Sequence, residues 1–469
     1  MSPTENYKLY ETIQTLDKKE TRQIKRVLQS PFFVLRNDVG NLFEVLIKYH
    51  LKGKAFPKKE VIFEKVFSEK EYDYALLRGT MSDLFELIEE FFLIQKRRNG
   101  KLKTRHLLAE IYRERQLPKA YQSVVKKTAT ILENQPLRNE FYYQQLLNFQ
   151  LEEMTFKIKN QRTKDFNLGA ISETIDIAFL VQKLKFACSQ ISHQQVFKAE
   201  YDFGLLTHLL PIIEQEKYLE IPAIGIYYYC YRFLTEENGT MFFEKFKKIL
   251  FQNKELFDAL EIKELYLFAI NFFIRKLNQG GKKISHEILD LYKDGLEANY
   301  FLENGMLSRF TFNNIVAAGI FTEEFDWLEK FIETYSEKLE TEYRDSTVSF
   351  NLARLEYKRE NYGKAMLHLQ KVDSKDLVNN LISKTLLMRI YYELEEYDSL
   401  FSHLDSFQVF IRRREVSDFH RKNYMNAIRL VKKLVALPEL DKKAKEALRE
   451  EIESEEVLTE REWLLGKLK

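Results

Sequence analysis

An all-α fold is predicted for this 469-residue chain, and three observations predict it. Apolar residues recur at spacings of three and four almost throughout, which gathers them on one face of a 3.6-residue helix. Glycine (15) and proline (8) are scarce, so the chain has few of the tight turns that an all-β fold needs. The gaps between periodic segments are short and polar, which suits antiparallel neighbouring helices rather than crossovers between strands. A hydrophobic content of 45% beside 31% charged residues fits many elements with one greasy and one solvated side.

From the start of the chain, residues 1–100 read as a helical N-terminal domain with no repeat period. Ser30-Pro31-Phe32-Phe33 and Ala55-Phe56-Pro57-Lys58 interrupt its helices. Asp17 with Glu20, Ser68 with Glu71 and, far downstream, Thr459 with Glu462 have capping-box spacing, and Ser172 and Thr322 precede acidic first turns, so each is expected to open a helix. Residues 1–106 hold 21 Lys and Arg against 15 Asp and Glu. That excess concentrates in Lys96-Arg97-Arg98-Asn99-Gly100-Lys101-Leu102-Lys103, where the domain boundary is placed. Tyr227-Tyr228-Tyr229 has the look of a buried strand, but its flanks keep helical period and no partner strand is apparent. Leu265, Phe268, Ala269, Phe272 and Phe273 trace one helical stripe, and Leu328, Phe331, Ile332 and Tyr335 trace another. The breaks at Glu237-Asn238-Gly239, Asn278-Gln279-Gly280-Gly281 and Glu303-Asn304-Gly305 read as connections between helices. Residues 441–469 read as C-terminal capping helices that place Trp463, Leu464, Leu465 and Leu468 on a greasy face.

Self-comparison is informative because a fixed period of 20–50 residues marks a stacked-repeat architecture. Leu352, Arg354, Tyr357, Tyr362, Ala365 and Leu369 are followed 35 residues later by Leu387, Arg389, Tyr392, Tyr397, Leu400 and Leu404. Weaker echoes occur at Phe325, Leu328 and Ile332, and at Leu107, Tyr112, Leu117, Ala120 and Val124. The segment from Leu352-Ala353 through Tyr357, Tyr362 and Ala365 to Leu369 resembles a tetratricopeptide repeat, in which an aromatic near the end of helix A, a Tyr before helix B and a small residue within helix B let two helices pack closely. The resemblance is clearest over residues 346–410. The second copy departs from the pattern at Met388 and Leu400, and neither copy has the family's tryptophan. It implies an α-solenoid of antiparallel helix pairs, a tetratricopeptide-like superhelix over residues 101–440 behind the N-terminal cap; an irregular multi-domain helical fold is the alternative.

The composition names no partner. A net charge of +2 supplies no whole-molecule field to draw in nucleic acid or an anionic membrane. Cys188 and Cys230 lie in apolar stretches and are expected as packed thiols in a reducing compartment. The longest greasy run, from Ile221 to Tyr231, falls short of a membrane span. With no secretory layout at the N-terminus, a soluble cytoplasmic protein is expected. His286-Glu287-Ile288-Leu289-Asp290 begins like a zinc motif, but Asp290 stands where the second imidazole belongs. Gly281-Lys282 lacks both the first glycine and the hydroxyl of a phosphate loop, since Lys276 and Lys283 occupy those places. No nucleophile elbow, dinucleotide fingerprint or C-x-x-C occurs. Neither a catalytic site nor a metal nor a cofactor is expected, although a site assembled from distant residues leaves no such trace.

A repeat array supplies a surface instead, because its first helices line a groove able to hold a peptide or a partner helix. The resemblance puts Phe350, Arg354, Tyr357 and Lys358 of one unit, and Thr385, Arg389, Tyr392 and Glu393 of the next, on that groove. Arg354 and Arg389 are then neighbours, and two guanidinium groups flanked by tyrosines suit an acidic or carboxylate-bearing partner protein or peptide. Beside this stands the arrangement in which both arginines pair with local glutamates such as Glu356 or Glu393 and the tyrosines are core. The reading that emerges is a non-catalytic scaffold or adaptor. The alternative is a helical regulator that touches nucleic acid through the basic N-terminal region, where Lys96, Arg97, Arg98, Lys101 and Lys103 are the polyanion candidates. A second basic concentration, Arg412-Arg413-Arg414, His420-Arg421-Lys422 and Lys432-Lys433, has few interleaved aromatics and reads as solvated helix ends. The oligomeric state is left open.

Overall fold

A computed structural model describes residues 8–33, 36–160, 165–197, 199–278, 285–372, 377–414, 417–438 and 441–468. The expected turn around Gly280-Gly281-Lys282 lies outside the described residues. Among the described residues the chain forms 24 α-helices and a single two-stranded hairpin, so the fold is all-α. It divides into two compact units, residues 1–183 and 184–469.

In the first unit, the helices Lys8–Thr15, Lys18–Leu28, Asn37–His50, Lys59–Val66 and Tyr74–Asn99 bury one apolar cluster that runs from Leu9 to Phe91 and centres on Leu42, Phe43, Leu84 and Ile88. The capping box at Asp17 is present: its carboxylate accepts from the Glu20 amide at 2.7 Å while the Glu20 carboxylate accepts from the Asp17 amide at 3.1 Å. Ser68 and Glu71, in contrast, open no helix. Asp73 caps the next one, accepting from the amides of Ala75 and Leu76. Helices Lys101–Glu114, Pro118–Asn134 and Glu140–Asn160 follow, the second with proline at its first position, where a missing N–H costs nothing. Ser172 lies inside the helix Leu168–Phe197 rather than at its start.

In the second unit the tyrosine run is helical, within Pro222–Thr235, and Tyr227 and Tyr228 are buried. The stripe in Ala259–Asn278 buries Leu265, Ala269, Phe272 and Phe273. Glu303-Asn304-Gly305 does connect two helices, Ser285–Glu297 and Arg309–Phe321, but through a hairpin. Leu302–Glu303 pairs antiparallel with Met306–Leu307, and Asn304 and Gly305 sit at φ +51° and +79°, the left-handed pair that a two-residue hairpin turn requires. Thr322 ends the helix Arg309–Phe321 instead of starting the next, Phe325–Tyr335. The pairs Arg344–Lys358 with Tyr362–Leu369 and Leu377–Glu393 with Tyr397–Arg413 come next, then Asp418–Val435, Lys442–Ser454 and Arg461–Gly466.

One turn recurs along the chain. Gln116, Glu323, Glu360 and Glu395 each adopt φ between +56° and +61° at the end of a helix. Each donates its amide to the carbonyl three residues back, and the following amide reaches the carbonyl five residues back, from Leu117 to Tyr112, Glu324 to Gly319, Asn361 to Glu356 and Glu396 to Tyr391. This is the left-handed helix stop that satisfies orphan carbonyls, here with glutamate or glutamine where glycine is usual. The last three turns are 37 and 35 residues apart, matching the sequence period. The residue five places past each turn packs inward, as Leu328, Ala365 and Leu400. Where that residue is leucine in the first of these pairs, the facing helix needs Gly319, because a Cβ there would stand 2.5 Å from Leu328 Cδ2.

Candidate partner-binding site

In the helix Arg344–Lys358, Arg354 lies six residues before the turn residue Glu360, and in Leu377–Glu393, Arg389 lies the same distance before Glu395. The two arginines therefore leave equivalent positions on their helices. They line one pocket of about 230 Å3 together with Ile320, Tyr357, Lys358, Ile382, Leu386 and Glu460. Four of the groove candidates, Arg354, Tyr357, Lys358 and Arg389, thus share a single concavity. Phe350 and Thr385 do not reach it. Phe350 is fully buried with its ring 5.5 Å from the Arg354 guanidinium, and Thr385 is buried with its hydroxyl donating to the Leu381 carbonyl. Tyr392 is also withdrawn, edge-on to Trp463 at 5.2 Å.

The guanidinium groups have different surroundings. Arg354 donates through Nη1 to the Asn313 carbonyl at 3.3 Å and to Asn351 Oδ1 at 3.2 Å, and Asn351 is itself held by Asn313 Oδ1 and the Thr347 carbonyl. Both Arg354 acceptors are neutral, and no ion pair forms at Arg354 among the described residues. Burial pushes its acidity up, lowering the pKa from the usual arginine value to about 10, so it stays charged at neutral pH without a counter-ion. Lys358, exposed at the rim, makes no ion pair among the described residues either.

Arg389 is neutralised. Its Nη1 meets Glu460 Oε2 at 2.7 Å, Nε donates to the Tyr357 hydroxyl at 2.9 Å, and its plane lies 4.5 Å from the Tyr357 ring and 5.6 Å from that of Trp463. Burial, ahead of the nearby charges, holds the Tyr357 phenol up at about 12. Glu393 accepts from Trp463 Nε1 at 2.8 Å and from Lys467 Nζ at 2.6 Å, while Glu356 accepts from Asn361 Nδ2 at 2.9 Å. Neither local glutamate serves either pocket arginine. The counter-ion of Arg389 comes from 71 residues away, which no local pattern in the chain announces.

That distant segment is firmly placed. Glu460, at φ +62°, precedes the short helix Arg461–Gly466 and carries no side-chain capping bond, so Thr459 and Glu462 do not form the expected box. Arg461 donates to the carbonyls of Ile452, Glu453 and Glu455 at the end of Lys442–Ser454. Leu464 and Leu468 enter a cluster with Leu448, Ile452, Leu430 and Phe407.

The basic strip belongs to the first unit. Lys96, Arg97 and Arg98 form the last turn of Tyr74–Asn99, Gly100 is the joint, and Lys101 and Lys103 open the next helix; all five side chains are exposed. Cations suit a helix C-terminus, where the last carbonyls carry partial negative charge. Arg98 also borders a cleft of about 530 Å3 with Lys19 and Arg26 over Phe33, Phe91 and Ile94. In the second basic concentration Lys432 pairs with Asp405 and Lys433 with Glu451. His286 and Asp290 are exposed on one helix, and Cys188 and Cys230 are buried free thiols. Among the described residues no group of three His, Cys, Asp or Glu is placed as for a metal ion, and no helix is long and apolar enough to cross a membrane.

No family model, curated protein or solved structure matches this chain.

Proposed function

We propose that this chain is a non-catalytic scaffold or adaptor whose tetratricopeptide-like helix pairs hold a carboxylate-bearing segment of a partner protein in the pocket between Arg354 and Arg389. One observation carries the reading: two arginines 35 residues apart line the same pocket, and one of them has no carboxylate partner among the described residues. A desolvated guanidinium without a counter-ion gains more from an incoming carboxylate than a hydrated surface cation does. Ile320, Ile382 and Leu386 provide apolar wall beside it, so the guest is a segment that mixes aliphatic and acidic side chains. The repeated left-handed turns at Glu323, Glu360 and Glu395 support the repeat architecture on which the groove depends.

The test is fluorescence anisotropy with a labelled peptide alternating leucine and glutamate, against a leucine–glutamine peptide as neutral control. Saturable binding of the acidic peptide, weakened by Lys358→Glu and by Arg354→Met, is the expected result. Equal binding of both peptides, or binding untouched by the two substitutions, would refute it. A second reading is favoured by Arg98 lining a cleft of the first unit together with Lys19 and Arg26, three cations that outnumber its carboxylates Asp17 and Glu20: this surface contacts a polyanion such as RNA. Binding of labelled RNA that weakens as salt rises and falls in a Lys101→Glu, Lys103→Glu variant is expected on that reading, and no binding at low salt removes it.

A further inference from the structure

The pocket already holds a carboxylate, and its owner is the chain itself. Glu460 presents a single oxygen to Arg389 at 2.7 Å, at the wall of a pocket whose other charged lining residues, Arg354 and Lys358, are cations. We propose that Glu460 is a tethered competitor for the guest: its carboxylate occupies the Arg389 half of the binding site, and a partner's acidic side chain must displace it to engage both arginines. This rests on the reading of the pocket as a carboxylate site.

Three features make an exchange of partners physically reasonable. First, Arg389 does not need Glu460 to keep its pose. Its Nε is held by the Tyr357 hydroxyl, and its plane is flanked by the Tyr357 and Trp463 rings, so the guanidinium stays oriented whichever carboxylate it meets. Second, only a side chain has to move. Arg461 ties the backbone to three carbonyls, Trp463 and Lys467 both bond Glu393, and Leu464 and Leu468 are buried, so the segment around Glu460 remains in place while its carboxylate rotates. The Glu460 side chain is 23% exposed, which leaves it a route toward water. Third, the charge balance favours an added anion. Two guanidinium groups and one ammonium face one carboxylate, so a guest carboxylate is attracted by Arg354 and Lys358 before it reaches Arg389.

The consequence is selectivity by number of acidic groups. A guest with one carboxylate settles at Arg354 and leaves the Arg389–Glu460 pair intact, whereas a guest with two must exchange with Glu460 and gains a second guanidinium in return. Removing the Glu460 charge should therefore tighten binding of a multiply acidic peptide and leave a singly acidic one nearly unchanged.

Two variants test this with the full-length chain and the leucine–glutamate peptide in its doubly acidic and singly acidic forms. Glu460→Gln keeps the shape and removes the charge. Glu460→Gly removes the side chain at a position whose φ of +62° glycine adopts without strain, so the fold is preserved by a different route. Melting curves confirm that both variants are folded. Expected is a roughly three- to tenfold tightening for the doubly acidic peptide in both variants, lost when Arg389→Met is added, with a change under about twofold for the singly acidic one. Binding by the variants with none by wild type would support the proposal equally. If wild type binds and both variants bind no tighter, Glu460 is a structural counter-ion and the proposal falls while the pocket reading stands. If wild type and both variants all fail to bind, the pocket reading falls and takes the proposal with it.

Discussion

Arg354 and Arg389 are the same residue type, 35 positions apart, each six residues before a left-handed turn, yet one faces neutral acceptors and the other a carboxylate. The helix pair around Arg354 is packed tightly through small residues, with Ala353 and Ala365 fully buried, and among the described residues its cation meets only neutral acceptors. The pair around Arg389 is packed through larger ones, Met388, Leu400 and Leu404, and borrows Glu460 from the end of the chain. The difference teaches that a repeated backbone does not repeat its electrostatics. Position on the helix is set by the local turn, whereas the partner is set by whatever packs across it.

The largest expected effect separates the two helix pairs by their packing. Leu400→Ala opens a cavity in the second pair and should cost about 2–5 kcal/mol, and Ala365→Leu at the matching place in the first should cost about 1–3 kcal/mol by overpacking. Urea unfolding monitored by circular dichroism measures both, and a cost below about 0.5 kcal/mol for either would mean that the two pairs are not close-packed at these positions. Next in size are the arginines themselves. Arg389→Met strands Glu460 in a half-buried site and should lose about 1–3 kcal/mol, while Arg354→Met removes a desolvated cation with no carboxylate and should change stability by less than about 1 kcal/mol. Equal costs in the same unfolding experiment would erase the contrast.

The pattern of helices and the matched arginines were legible in the sequence because both are local: stripes at three and four, a Tyr two residues after the turns at Glu360 and Glu395, and one residue type recurring at 35. What was not legible depends on contacts across the fold. Glu460 is 71 residues from Arg389, and nothing in Thr459-Glu460-Arg461-Glu462 marks it as a counter-ion. Ser68 with Glu71 and Thr459 with Glu462 have the right spacing but lose to Asp73 and to the left-handed backbone at Glu460. Asn304-Gly305 is a strong hairpin signal in its own right, and the hairpin it forms sits inside a connection between two helices. Phe350 has a helical position equivalent to groove residues, yet its ring turns inward beneath Arg354.

A smaller effect comes from a second matched pair, His368 and His403, also 35 residues apart. Burial lowers the pKa of both, His403 against the added support of its bond to the Lys384 carbonyl at 2.8 Å, while Lys371 and Lys384 push the same way as burial. A histidine whose folded value lies below its unfolded one favours the neutral ring in the fold. Its contribution is complete above the unfolded value, about 6.5, and is lost as pH falls through the folded value. The melting temperature should therefore drop as pH is lowered from 7 toward 5, and His403→Gln should remove more of that drop than His368→Gln, since burial, the leading cause at both rings, is deeper at His403. An unchanged pH profile in His403→Gln would contradict this. Smallest of all is Lys358→Glu, an exposed change expected to alter stability by less than about 0.5 kcal/mol, so that any loss of peptide binding in it reports the pocket rather than the fold.

The measurement closest to the centre of this account is a double-mutant cycle on binding of the doubly acidic leucine–glutamate peptide, with Arg354→Met and Arg389→Met made singly and together in the Glu460→Gln background. Arginines that share one pocket and one guest should be coupled, the double variant losing less than the sum of the single losses by about 0.5 kcal/mol or more. Strictly additive losses, or no loss from either change, would mean that the two guanidinium groups do not meet the same guest.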